Sequence, residues 1–262
     1  MNRIERRRQA KEDRGFVARG LDTERRDGLQ VIALMRVLHE RLLESRAART
    51  VAPLMGFFHD NLRSATRPGP RHLLACRMGC AHCCHAWVSA RAPEVLFVKK
   101  SLPAREREAI RHAVERAYAV TGTLAPPERA GMGTPCPLLR DNVCQAYGAR
   151  PAVCQAAVSE SAAICARAFA PGAADEDIPM PTFYLTLRRG YSLALAGALK
   201  HAGYAAESYE FNAALRAAFA REDAEAAWLA GEDVFAGVQR DRGSDPFAAP
   251  RYRQLYDAAW AD

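Results

Sequence analysis

Eight cysteines lie between Cys76 and Cys165, and the flanking segments of this 262-residue chain hold none. Four of them fall within "CRMGCAHCC", as Cys76, Cys80, Cys83 and Cys84, with the last two adjacent. The remainder, Cys136, Cys144, Cys154 and Cys165, are spread over thirty residues and can meet the first four only by folding. A chain of this length with 49% apolar residues buries a core without covalent staples, so a disulfide framework is not required. The charged start, Met1 to Arg8, has no apolar run behind it, and the expectation is a cytoplasmic protein in a reducing compartment. There, clustered thiols serve metal binding or redox chemistry more often than bridging. The longest apolar stretch, Tyr191 to Leu199, covers less than half of the roughly 20 residues a spanning helix needs, so no membrane partner is expected.

Thiolates are soft ligands, and a closed site takes four of them, at ~2.3 Å for zinc. The steps Cys76-x-x-x-Cys80 and Cys80-x-x-Cys83 allow side chains of one loop to turn inward together. Consecutive side chains diverge, so Cys83 and Cys84 are expected to serve two neighbouring sites or one larger inorganic unit. Eight thiols suffice for two four-ligand sites, and one site with spare cysteines is the alternative. The candidate metal ligands are therefore Cys76, Cys80, Cys83, Cys84, Cys136, Cys144, Cys154 and Cys165, and the cofactor is an iron–sulfur cluster or zinc in one or two sites. The all-thiol set and the adjacent pair favour iron–sulfur. A four-thiolate site is anionic, and Arg150, between Cys144 and Cys154, is the candidate cofactor-binding cation, hydrogen-bonding to sulfur. Arg77 and Arg140 are secondary candidates; Tyr147 is read as loop packing, and His82 and His85 as solvent-facing or capping residues.

Around the cysteines the pattern is helical. Leu29, Ile32, Met35, Leu38 and Leu42 mark one apolar face between Asp22 and Ser45. Further helices are expected over Pro53–Ser64, from about Pro93, and over Ala104–Thr121 with Ile110, Val114 and Ala117 inward. Later ones are Thr182–His201, with Phe183, Leu187, Tyr191, Leu195 and Leu199 inward, Ser208–Arg221, and a short one at Trp228. Gly190, Ala194 and Gly197 form a strip that admits a close helix neighbour. The run Leu138 to Cys144 predicts a tight hairpin, because Asp141-Asn142 tolerates positive φ, and Pro151 predicts a short helix carrying Cys154. The fold class is mainly α: a helical domain enclosing two irregular cysteine-rich segments with a small β-hairpin. Residues 1–20 are expected to be a basic, flexible N-terminus, residues 21–235 the helical cysteine-cluster domain with its metal-binding core at 72–170, and residues 236–262 a loosely packed tail with a short helix.

Net charge is +7, with residues 1–50 at +5, 51–154 at +7 and 155–262 at −5. The excess is almost all Arg in an Ala-rich chain without an aromatic-interleaved basic stripe, which reads as compositional bias rather than a nucleic-acid surface. Cys76-x-x-x-Cys80-x-x-Cys83 has radical-SAM spacing, but His82 stands where that family has an aromatic residue and no βα series follows. No glycine-rich strand-to-helix turn for a nucleotide, no paired carboxylates and no Ser/His/Asp arrangement can be assigned.

The knot Cys76, Cys80, Cys83 and Cys84, then Cys136-Pro137 with Leu138 or Leu139, Cys144 with Tyr147, and Arg150-Pro151 with Cys154 together resemble the YkgJ family of cysteine-cluster proteins, described as zinc- or iron-chelating domains. The likeness is close over residues 76–154 and extends to Cys165. It implies metal binding and no general activity. Gln155 and Ala157 replace an Arg and an aromatic residue common in that family, which predicts a looser cover over the site. A related motif occurs in flagellin lysine methylase, which raises an enzyme modifying a protein substrate as a second reading. A structural zinc module presenting a basic surface to nucleic acid or to a protein partner is the third. In the first reading, redox, sensing and metal handling are the open roles.

Overall fold

The computed structural model describes residues 27–124, 128–129, 132–173, 176–241 and 245–261, so the expectation for residues 1–20 lies outside the described residues. The fold is mainly α. Helix α1 covers residues 27–48 and buries Met35, Leu38 and Leu42 completely. Helix α2, Ala52–Thr66, starts with Pro53 in its first turn, where a missing N–H costs nothing, and buries Leu54, Met55, Phe58, His59 and Leu62. Helix α3, Ala92–Ser101, is opened by a reciprocal pair in which the Glu94 carboxylate accepts from the Arg91 amide at 2.8 Å. A 3₁₀ turn over Ala104–Glu106 leads into α4, Arg107–Thr121, whose Ile110, Val114 and Ala117 face inward as expected.

The second half repeats this economy of local signals. Short helices α5, Ala152–Gln155, and α6, Ala162–Ala168, carry Cys154 and Cys165. Helix α7, Thr182–His201, spans the predicted residues, and the glycine strip does what its spacing implies. A methyl group at Gly197 would lie 2.6 Å from Met35 Cε, and one at Gly190 would lie 3.3 Å from Val31, so α1 and α7 touch through missing side chains. Helix α8, Phe211–Ala220, packs against α3 and α4, and α9, Ala224–Leu229, buries Trp228.

Two small sheets complete the fold. Strands β2, Leu139–Arg140, and β3, Val143–Cys144, form the expected hairpin, with Leu139 opposite Cys144, and Asp141 and Asn142 at φ 50° and 60° in its turn. The second sheet has the order β1–β4–β5 and joins β1, Ser89–Ala90, to β4, Ser208–Glu210, and β5, Arg240–Asp241, all antiparallel. A helix beginning at Ser208 was the sequence expectation; the observed start is Phe211. The Glu210 carboxylate accepts from the amides of Asn212 and Ala213 at 3.1 and 2.6 Å, capping the helix there and releasing residues 208–210 to pair with β1.

The tail expected to be loosely attached ends in α10, Pro250–Trp260. Arg36 donates to the Ala259 carbonyl at 2.6 Å, the Trp260 ring stacks on His201 at 3.7 Å, and Phe247 and Ala259 are buried. These contacts bind the segment to α1 and α7.

Candidate metal centre

The first cysteine segment is irregular because its turns are. The Cys80 amide donates to the Arg77 carbonyl at 3.0 Å, closing a β-turn whose third residue, Gly79, has φ +86°, a value side chains oppose. Cys83 and Cys84 follow on a 3₁₀ turn, His82–His85, and β1 then fixes the exit of the segment. The second segment is clamped onto the first by its backbone. The Cys136 amide donates to the Cys84 carbonyl at 2.7 Å, and Ala75 donates to Ser159 O at 2.9 Å while the Ser159 amide approaches Cys76 Sγ at 3.3 Å. Ser161 caps α6 through the Ile164 amide at 3.2 Å and so positions Cys165.

The result is one cavity of about 600 Å³ whose wall includes all eight cysteines. Each is a free thiol, with no disulfide among them. Electrostatic coupling divides them into two overlapping groups. Cys76 acts with Cys80, Cys83 and Cys165, and Cys154 acts with Cys136, Cys83 and Cys144. Cys83 belongs to both and hydrogen-bonds to Cys84. The expected divergence of the adjacent pair is thus only partial. Among the described residues no three His, Cys, Asp or Glu side chains stand ready-made at ligating positions. All eight cysteine residues contribute to the cavity wall.

Two opposing influences act on the thiols. Burial pushes the Cys76, Cys144 and Cys154 thiols up and Cys136 to about 12, and Cys83 is raised first by its bond to Cys84 and then by burial. Opposing this, backbone amides at Ser159, Leu138 and Ala146 bond to the sulfurs of Cys76, Cys136 and Cys144, and the Arg150 charge lowers Cys83, Cys144 and Cys154. Amides bonded to sulfur and a nearby cation act towards thiolate, the form that binds metal, but burial outweighs them and these thiols stay above their ordinary value. The all-thiol donor set fits a thiophilic metal centre, whose positive charge would supply the missing stabilisation of thiolate.

Arg150 reaches its position differently from the expectation. Its Nε donates to the Tyr147 carbonyl at 3.1 Å and its guanidinium lies over the Tyr147 ring at 3.8 Å, so its influence on the thiols is electrostatic rather than through a hydrogen bond to sulfur. Tyr147 packs the loop in this way. Arg140 pairs with Glu106 and Asp141, whereas Arg77 and His82 line the cavity. The cover near Gln155 is hydrogen-bonded, not loose: its amide donates to Arg150 O at 2.7 Å and to His59 Nδ1.

Several supporting residues carry no motif. Glu94, 4% exposed, accepts from the Ala152 amide at 2.8 Å with the oxygen not used at Arg91, and so ties α3 to the helix bearing Cys154. Its Pro-Glu context signalled a helix start, not this second bond. His59 is stacked on Phe97 at 5.0 Å beneath Gln155. Tyr184 and Arg188, one turn apart on α7, also line the cavity and fell outside the apolar stripe used to read that helix.

Residues 75–169 match the model of the CxxCxxCC family, "Putative zinc- or iron-chelating domain". The matched segment holds every cysteine, while most of the helical shell lies outside it. No curated protein and no solved structure matches the chain.

Proposed function

We propose that this protein is a thiolate-ligated metal protein, with an iron–sulfur centre as the favoured occupant and zinc as the alternative. The observation that carries the reading is that eight unpaired cysteines from two separate segments share one cavity wall. Cys76, Cys80 and Cys165 would hold one side and Cys136, Cys144 and Cys154 the other, with the linked pair Cys83 and Cys84 between them. An iron–sulfur centre would supply one-electron chemistry; zinc would supply a structural cross-link. The chain's own part is to present thiols with amide bonds at sulfur and to offset their negative charge with Arg150.

Anaerobic purification followed by metal analysis and a visible spectrum tests this. Brown protein with iron and acid-labile sulfide supports the favoured reading, and colourless protein with stoichiometric zinc moves it to the alternative. Cys80→Ser and Cys144→Ser are each expected to lose metal and melt at lower temperature, since closing the site contributes to folding. Full metal content and unchanged melting in Cys80→Ser would remove that residue from the site.

A further inference from the structure

The cavity is larger than a thiolate-bound centre needs. An ion at ~2.3 Å from its sulfurs occupies only the hole among them, yet the space of about 600 Å³ extends to α7 and to an apolar wall with Phe169, Ile178 and Met180. That volume lies in the range of small-molecule sites, about 300–1,000 Å³.

On the α7 side Tyr184 lines the wall, 3% exposed, with its hydroxyl unpartnered but closed off from the cavity. Gly69 keeps room for it, since a methyl group there would sit 2.6 Å from the hydroxyl oxygen. One turn on, Arg188 is half-buried and forms no ion pair or hydrogen bond among the described residues. No thiol is among the charges acting on it; Arg189 is its electrostatic neighbour. Leaving a cation unpaired and partly desolvated is costly. A fold keeps such groups where something else completes them. The rest of the wall indicates the sign of the missing partner: besides Arg150, which serves the thiols, Arg71, Arg77 and Arg188 line the cavity with no Asp or Glu.

We propose that the cavity binds a small organic acid with an apolar body, its carboxylate received by Arg188 and its body lying on the apolar wall beside the thiols. Arg presents a planar fork to a carboxylate. The inference goes beyond metal binding and stands without it, because Arg188 is not a candidate metal ligand.

The test uses the full-length protein as purified, with metal content recorded. 8-Anilinonaphthalene-1-sulfonate, an apolar anion, is titrated alongside its uncharged counterpart N-phenyl-1-naphthylamine, and decanoate is used to displace the bound anion. Saturable binding of one sulfonate probe per chain is expected. Arg188→Leu should weaken it about ten-fold or more while leaving the uncharged probe nearly unchanged, and Arg188→Lys should lose less. Decanoate should displace the probe, and inorganic phosphate at equal concentration should not. Equal loss of both probes in Arg188→Leu, or no saturable binding to the parent protein, overturns the proposal. Charge-selective binding in protein devoid of metal would sustain it while the metal reading fell, and metal-replete protein blind to probe charge would do the reverse.

Discussion

At Glu94 one carboxylate serves two backbone amides, Arg91 at 2.8 Å and Ala152 at 2.8 Å, from a position shielded from water. Glu94→Gln places an NH₂ group against one of those amides, because an amide side chain has a single acceptor oxygen. The expected cost is about 1–3 kcal/mol, read as a lower melting temperature together with faster metal release to a chelator, since the broken bond anchors the Cys154 helix. His59 makes the other residue-scale prediction. Burial, with Arg63 nearby, lowers its pKa to about 4. The folded protein therefore holds it neutral while the unfolded chain protonates it near the ordinary value of about 6.5. Its contribution to stability is complete above that ordinary value and is lost as pH falls towards about 4, with a slope of up to about 1.4 kcal/mol per pH unit. Urea unfolding midpoints at several pH values in this window, compared with those of His59→Leu, isolate the effect; parallel curves would exclude it.

Turn geometry decides the behaviour of the elements that carry thiols. The Asp141-Asn142 turn was readable because those residue types accept positive φ, and the observed angles agree. Gly79 was passed over, although its φ of +86° is what returns the chain between Cys76 and Cys80. Gly79→Ala should lower stability by about 1 kcal/mol through backbone strain alone and weaken metal retention. Gly148→Ala, with nothing within 4 Å of the added carbon and no positive φ, is the matched control and should do neither. The pairing of β1, β4 and β5 left no signal of its own. Strands of two or three residues are too short for alternation to register, and Ser208–Glu210 continues into a helix with a clear apolar stripe.

On the scale of the whole molecule, helices supply a rigid shell and the cysteine segments supply the chemistry. Gly197→Ala tests the shell alone: the added carbon meets Met35 across the α1–α7 contact, remote from the cavity wall. Overpacking there is expected to cost about 1–3 kcal/mol, lowering the melting temperature while metal content and spectrum stay as in the parent protein. A changed spectrum would show that shell and centre are coupled.

What the sequence determined by itself is local: helical periods, the proline-led starts of α2 and α5, the hairpin turn, and the confinement of every thiol to one stretch. Such features depend on neighbours within a few residues, where spacing and backbone preference act directly. Tertiary structure decided which thiols share a wall, that Ser159 clamps Cys76, that Glu94 reaches Ala152, and that Tyr184 and Arg188 face the same space as the cysteines. Those relations join residues far apart in the chain, and they arise only when buried amides and charges must find partners as the core closes.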